Sequence, residues 1–236
     1  TTNCAYIFSN MNIPKNIKTI IEPFVGNGDL LQCIADPSKV NIEIYDIDPK
    51  YKNTVKRDTL KDPPIYTNKF VLTNPPYLAR NKSKEKEIYD HYDCNDLYKC
   101  FLIQLIENVC IGGMIIIPLN FLSSIRKQDV ELRKRFLQHY TIEILNIFEE
   151  KVFDDTGYAI CSMYFSLGKP RHDHKIKTYI YPSKKEMTIE LNEQTYFTIG
   201  GEIYHLPYND KYIVKRATKH TTTGNITNIL LKCIDD

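Results

Sequence analysis

The residues best equipped for chemistry are Asn74-Pro75-Pro76-Tyr77, which follow directly on a short apolar run. Two consecutive prolines stiffen the turn and remove two backbone donors. The Pro75 carbonyl and the Asn74 side-chain oxygen are then acceptors free to face one target. Two acceptors converging on an NH2 group would bind it and draw its nitrogen toward sp3 geometry, exposing the lone pair as a nucleophile. The Tyr77 ring adds a planar surface against which a base could stack. The plain alternative is a proline-rich turn that caps a strand, and the tetrapeptide alone does not decide between the two.

Three further signals lie upstream. Glu22-Pro23-Phe24-Val25-Gly26-Asn27-Gly28-Asp29-Leu30 reads as a strand end, a glycine-rich loop and a helix start. Gly26 and Gly28 allow the backbone to come close to a ligand at the strand's carboxyl end. The loop has no GK[ST] and lacks the third glycine of the dinucleotide fingerprint, so it suits a nucleoside that carries no pyrophosphate. Glu22 is placed to meet a cationic end of such a ligand. The next strand ends in Asp46-Ile47-Asp48-Pro49, and a carboxylate about 20 residues after a glycine loop is where ribose hydroxyls are held. After a third strand, Arg57-Asp58-Thr59-Leu60 puts another carboxylate at the same sheet edge. Any one strand-end Asp is more often a cap or turn residue. Four ordered signals at the ends of consecutive strands are harder to explain in that way.

Alternating strands and helices must position these groups. Thr19–Glu22, Val40–Ile47, Lys69–Thr73, Met114–Ile117, Thr141–Phe148 and Tyr158–Phe165 read as strands. Asp29–Ala35 and Asp129–His139 read as helices, and Leu97, Phe101, Leu105 and Val109 form a helical stripe that Gly112-Gly113 is expected to end. The pattern predicts an α/β fold with a doubly wound, mostly parallel sheet covered on both faces, and a final antiparallel hairpin at one edge. Asn81–Asp96 is a polar, charge-rich loop. From Gly168-Lys169-Pro170 onward the rhythm gives way to short β-like segments, which divides the chain into a domain over residues 1–168 and a smaller β-rich region over 169–236.

Composition excludes more than it selects. Of 236 residues, 42% are hydrophobic and 25% charged, ordinary for a folded domain with a small appendage. No apolar run approaches the roughly 20 residues that span a bilayer, so a membrane partner is not expected. The seven cysteines are odd in number and include no C-x-x-C pair, which predicts free thiols in a reducing, intracellular compartment. His172-x-His174 reads as a surface loop, and no metal is expected. The net charge of +2 does not announce a nucleic-acid binder. Local basic clusters (Arg80, Lys82, Lys84 and Lys86, then Arg126, Lys127, Arg133, Lys134 and Arg135) are diluted by acidic neighbours and give only a weak phosphate-binding signal.

Over residues 18 to 166 the chain resembles the amino-methylating DNA methyltransferases, specifically the N6-adenine family found in restriction–modification systems and large viruses. The resemblance implies a seven-stranded, Rossmann-like methyltransferase sheet, S-adenosyl-L-methionine as cofactor, and double-stranded DNA as partner. It also implies methyl transfer to N6 of an adenine flipped out of the stack. Glu22 to Leu30 matches the family's cofactor loop and carries over Glu22, Pro23, Gly26 and Gly28. Asp46 would bind the ribose, Ile47 would pack on the cofactor adenine, and Asp58, beside Thr59, would bind that adenine's amino group. Asn74-Pro75-Pro76-Tyr77 matches the catalytic tetrapeptide without a mismatch, with Asn74 shared between substrate and cofactor. In Lys151-Val152-Phe153-Asp154-Asp155, Phe153 matches the aromatic that packs on the flipped base, and Phe148 is the other candidate.

The motif order resembles the gamma arrangement, although its extra cofactor segment before the first strand finds only a poor match in Tyr6–Lys15. On the same resemblance, residues 1–168 are the catalytic domain and 169–236 the start of a target-recognition region. Asn81–Asp96 would close over DNA, and the protein would work in the cytoplasm of a bacterium or a virus-infected cell. Oligomeric state is left open, a monomer included. Four relatives compete. N4-cytosine enzymes usually carry Ser at the place of Asn74, and release-factor glutamine enzymes usually carry an N-terminal helical domain. RNA adenine methylation shares the same chemistry. A non-catalytic DNA-binding or specificity subunit is disfavoured by the intact Asn74–Tyr77, Gly26, Gly28 and Asp46.

Overall fold

Ile20 and Ile21, Val71 and Leu72, and Ile115 and Ile116 point alternately to opposite faces of one sheet, and both faces are buried. Burial on both faces is why these strands read as unbroken apolar runs rather than as alternating ones. The computed structural model describes residues 6–154, 157–168, 172–200 and 222–224. Its strands are β1 (Thr19–Glu22), β2 (Asn41–Asp46), β3 (Val55–Lys56), β4 (Phe70–Thr73), β5 (Gly112–Pro118), β6 (Tyr140–Phe148), β7 (Ile160–Leu167), β8 (His174–Tyr181) and β9 (Lys185–Leu191). They form one sheet in the order β3-β2-β1-β4-β5-β7-β6-β8-β9. The first seven make a mostly parallel sheet with β7 reversed, and the β8–β9 hairpin is the β-rich addition that follows.

The helices are α1 (Glu87–His91), α2 (Leu97–Glu107), α3 (Asn120–Ser123) and α4 (Lys127–His139). Phe101, Leu105, Phe136 and Leu137 cover the face that carries Ile21, Val71, Ile115 and Phe165. The opposite face, with Ile20, Leu72, Met114 and Ile116, is covered by Phe8 and Met11 of the N-terminal segment and by Ile34. Asn146 donates its amide to Ser9 O at 2.8 Å, and Ser162 donates to Ile7 O, so two buried polar side chains pin that segment across β6 and β7. Among the described residues no helix is long and apolar enough to cross a membrane.

Several expectations need correction. The antiparallel β6–β7 hairpin is added at one side of the parallel strands as expected, through β7, which pairs with β5 from Gly112 to Pro118, but β8 and β9 carry the sheet on beyond β6. Asp29–Ala35 is not an α-helix but a 3-10 helix over Asp29–Cys33, because Gly28 supplies no side-chain cap and Pro37 follows within one turn. Gly112-Gly113 does not end α2, which stops at Glu107. Both glycines lie inside β5, where a Cβ on Gly113 would sit 2.7 Å from Val71 O and 2.9 Å from the Phe165 ring. Gly113→Ala is therefore expected to destabilise the fold by about 1–3 kcal/mol, read as a lower urea midpoint. An unchanged midpoint would mean that β4 and β7 part there without cost.

Asn81–Asp96 is not a plain loop, since it holds α1 and is pulled inward by Tyr89 and Tyr92, both buried. His174 is likewise not a loop residue: it starts β8 and is buried, while His172 is exposed. Arg133 is removed from the basic surface cluster. It is fully buried and donates to Phe121 O, Phe197 O, Ser124 O (2.9 Å) and Thr198 Oγ1 (2.7 Å), and burial lowers its pKa to about 10. The expected recognition residues beyond 200 lie, apart from 222–224, outside the described residues, as do Cys4, Cys233, Asp155, Lys169 and Pro170.

Candidate active site

The carboxyl ends of β1, β2 and β4 meet at one side of the sheet, and each brings a polar group there. Glu22 ends β1 and is 1% exposed. Its Oε1 accepts from Phe24 N at 3.1 Å and from the Thr73 hydroxyl, and its Oε2 is buried with no hydrogen-bond partner. Burial pushes the Glu22 pKa up to about 8, opposed by those two donors. An orphaned carboxylate oxygen is costly, and it fits a ligand that brings a cationic donor. Asp46 ends β2 and binds the glycine loop directly: Oδ2 accepts from Gly26 N and Oδ1 from Asp48 N, both at 2.8 Å. Gly26 and Gly28 have φ of +52° and +83°, and a Cβ on Gly28 would lie 2.3 Å from the Tyr51 ring. The loop therefore requires glycine at Gly28 for its own packing as well as for backbone shape.

A cavity of about 590 Å³ opens beside this loop, within the usual size of a small-molecule site. Asp46, Ile47, Asp58, Thr59, Asn74 and Pro76 line it. Ile47 is 62% exposed, unusual for an isoleucine and suited to a flat apolar ligand face. Asp58 Oδ1 accepts from Leu60 N at 3.2 Å, and the Thr59 hydroxyl donates to Pro23 O at 3.0 Å, which ties this wall to the end of β1. Glu22, Pro23, Gly26 and Gly28 are on the β1 side and do not line the cavity itself.

Asn74 joins this cavity to the tetrapeptide Asn74–Tyr77. Pro75 is buried and Tyr77 half-buried. The Tyr77 hydroxyl lies within hydrogen-bond reach of the Asn74 side-chain amide and of Ile116 O, the latter at 2.8 Å. Burial holds its pKa well above the ordinary tyrosine value, so it stays a phenol and a donor. The Tyr77 ring is met edge-on by Tyr98 (6.3 Å, 84°) and Tyr158 (6.4 Å, 82°).

The two aromatic candidates separate clearly. Phe148 is 5% exposed, packed against Tyr6 (6.2 Å) and Tyr181 (6.5 Å), and is too buried to meet a base. Phe153 is half-buried in the β6–β7 loop and does not line the cavity. Sequence reasoning missed Tyr158, the residue of that loop which does touch Tyr77. It also missed the segment after the tetrapeptide as a cavity wall, through Ser83, Lys84, Glu85, Ile88 and Tyr89. Its tyrosines were the available signal, submerged in a run of charges.

The chain is similar to known methyltransferases over the same elements. The family model described as Eco57I restriction-modification methylase matches residues 27–153. The Type II methyltransferases M.HincII of Haemophilus influenzae and M.HindII of its Rd strain are each 28% identical over 222 residues, 86% of this chain. That stretch is 41% and 40% of those proteins, so the chain spans about two-fifths of the length of these curated relatives. Among solved structures, the methyltransferase subunit of a type I restriction-modification system from Streptococcus thermophilus superposes with a TM-score of 0.52 at 16% identity. It covers 81% of this chain and 48% of that one. A Listeria monocytogenes protein assigned as a class I S-adenosylmethionine-dependent methyltransferase gives 0.52 at 16% identity, over 70% and 60%. These structures share the fold of the chain, a Rossmann-like methyltransferase sheet. The family match covers more than half of the sequence and includes β2 to β6 with Asn74–Tyr77, and the chain therefore belongs to the Eco57I restriction-modification methylase family.

Proposed function

We propose that the chain is the catalytic part of a DNA methyltransferase that uses S-adenosyl-L-methionine and methylates N6 of adenine. The observation that carries this reading is the position of Asn74: it lines the nucleoside-sized cavity and starts the tetrapeptide whose acceptors suit an NH2 group. Membership of a restriction-modification methylase family supports DNA as the substrate. Asn in place of Ser at position 74 supports adenine over cytosine.

The residues divide as follows. Glu22 holds the cationic amino-acid end of the cofactor, Asp46 its ribose, Ile47 the face of its adenine and Asp58 that ring's amino group. The Gly26–Gly28 loop and Pro23 shape the approach, and Thr59 holds Asp58's turn against Pro23. When bound, the cofactor supplies an electrophilic methyl on a sulfonium. Asn74 Oδ1 and the Pro75 carbonyl accept from the target N6 and orient its lone pair, Pro76 keeps the turn rigid, and Tyr77 and Phe153 bracket the base. The Tyr77 phenol has one proton and cannot donate to both Asn74 and Ile116. Donated to Ile116, it leaves the phenol oxygen to accept from the Asn74 NH2, and Oδ1 is then turned toward the incoming amine. Positioning of this kind is the main contribution the protein makes to a direct displacement. The target adenine must leave the stack to reach the site, and residues 169–236 are the start of the region that selects it, in a cytoplasmic setting.

The test is transfer of tritiated methyl from S-adenosylmethionine to unmethylated genomic DNA, RNA and total protein in parallel. Label recovered as N6-methyladenine in DNA is expected. Label in RNA or protein would move the substrate, and cofactor binding with no label in any of them would make this a non-catalytic module.

A further inference from the structure

The catalytic tetrapeptide is followed by a short antiparallel pairing that its chemistry does not explain. Ala79 bridges Asp96, Arg80 N donates to Asn95 O at 2.9 Å, and Leu97 N donates to Leu78 O at 3.3 Å. Leu78 N, the first backbone donor after Tyr77, goes to the Asp96 carboxylate at 3.2 Å. Asp96 is 5% exposed, and burial holds its pKa above the usual carboxylate range, opposed by the Lys99 ammonium. The same carboxylate is hydrogen-bonded by the Tyr158 hydroxyl, and the Tyr158 ring meets Tyr77 edge-on.

A plain role for Asp96 would be to cap α2, which starts at Leu97. Its carboxylate does meet the Leu97 and Tyr98 amides at the start of that helix, so capping accounts for part of its place. The same carboxylate also joins the two segments on either side of the Tyr77 ring: the backbone leaving the tetrapeptide and the loop between β6 and β7. A buried carboxylate is expensive to keep, and an Asn or Ser would start the helix as well.

Resting on the methyl-transfer reading above, we propose that Asp96 is a positioning residue for the target amine, holding Leu78 and Tyr158 so that the Tyr77 ring and the Asn74–Pro75 acceptors keep one geometry. Asp96 itself touches neither substrate nor cofactor. Tyr158 becomes the aromatic neighbour that fixes Tyr77 from the β6–β7 side.

The experiment uses the full chain, genomic DNA and tritiated S-adenosylmethionine, with calorimetric cofactor affinity and melting temperature measured alongside. Asp96→Ala is expected to lower kcat by roughly 30–100-fold with KM for DNA and cofactor Kd within about threefold, since small displacements of a reacting group are that costly. Asp96→Asn keeps an acceptor for Leu78 N and is expected to recover to within about fivefold of wild type. Tyr158→Phe keeps the ring and loses about three- to tenfold, and the double variant Asp96→Ala/Tyr158→Phe is no worse than Asp96→Ala, as coupled neighbours behave. The proposal is overturned by wild-type kcat in Asp96→Ala, by additive losses in the double variant, or by a loss in Asp96→Asn as large as that in Asp96→Ala. If Asp96→Ala fails to fold, the other two single variants still decide. A wild-type chain that methylates no DNA sinks both readings, whereas wild-type transfer with any of those three outcomes sinks this one alone.

Discussion

Asn74→Ala is expected to cut methyl transfer by about 10²–10³-fold, the usual cost of removing one preorganised hydrogen-bonding group that acts in the transition state. Cofactor affinity should change far less, because Asn74 is one of many residues around the cavity, of which Asp46, Ile47 and Asp58 remain. Tyr77→Phe separates the two parts of this arrangement. It keeps the ring between Tyr98 and Tyr158 but removes the hydroxyl shared by Asn74 and Ile116. A loss of only about tenfold is expected, since the Asn74 amide is kept and only the hydroxyl that orients it is lost. Single-turnover transfer of labelled methyl measures both. Asn74→Ala within tenfold of wild type would remove the tetrapeptide from the chemistry, and Tyr77→Phe as inactive as Asn74→Ala would mean that the hydroxyl does more than orient the amide.

Cofactor affinity is expected to peak near pH 8 and to fall on both sides. In the free protein Glu22 titrates at about 8, while an α-amino group ordinarily titrates at about 7.7–8.0. The complex needs carboxylate and ammonium together, hence one proton between them. Below pH 8 both partners start protonated and binding must release a proton, so affinity rises with pH. Above pH 8 both start deprotonated and binding must take one up, so affinity falls. Glu22→Gln should abolish the acid limb, leave the alkaline limb, and weaken binding by about 10²-fold at pH 8, as loss of one partner of a buried pair does. A wild-type acid limb that survives in Glu22→Gln would show that another group titrates.

The same carboxyl makes an opposite statement about stability. Its folded pKa of about 8 lies above its ordinary value of 4.5, so the folded state holds the extra proton between these pH values. Stability of the unliganded protein therefore falls as pH rises from about 4.5 to 8, by up to on the order of 4 kcal/mol. Glu22→Gln should melt higher than wild type at pH 8 in the absence of cofactor, a gain in stability at the expense of binding.

What was legible in the sequence was local. Glu22, Asp46 and Asp58 could be placed because each ends a strand or follows one within a few residues, and the strands β1, β2 and β4 announce themselves by apolar runs or period-two alternation. Asn74 to Tyr77 could be read because two prolines leave few backbone options. What failed depended on residues far along the chain. Gly112-Gly113 looks the same as a helix end and as a tight sheet crossing, and only Val71 and Phe165 decide between them. Arg133 looks like a surface cation until Phe121, Ser124, Phe197 and Thr198 converge on it. The β6–β7 loop offered Phe148, Phe153 and Tyr158 within eleven positions. No spacing rule tells which ring reaches Tyr77, since that is set by how β7 threads between β5 and β6.

Among the described residues the sheet ends in β3 on one side and β9 on the other, and an edge strand is an invitation to pair with another molecule. The described strands answer it differently at the two sides. On one, β3 is only two residues long, Val55 and Lys56, too short to template a partner. On the other, β9 carries Lys185, Glu186 and Glu190 along its exposed positions, so that a second copy arriving edge to edge would have to bury charge. The hairpin after β7 thus does more than lengthen the sheet: it places a charged strand beside β8, whose alternating Ile176, Thr178 and Ile180 would otherwise be a ready seam for aggregation.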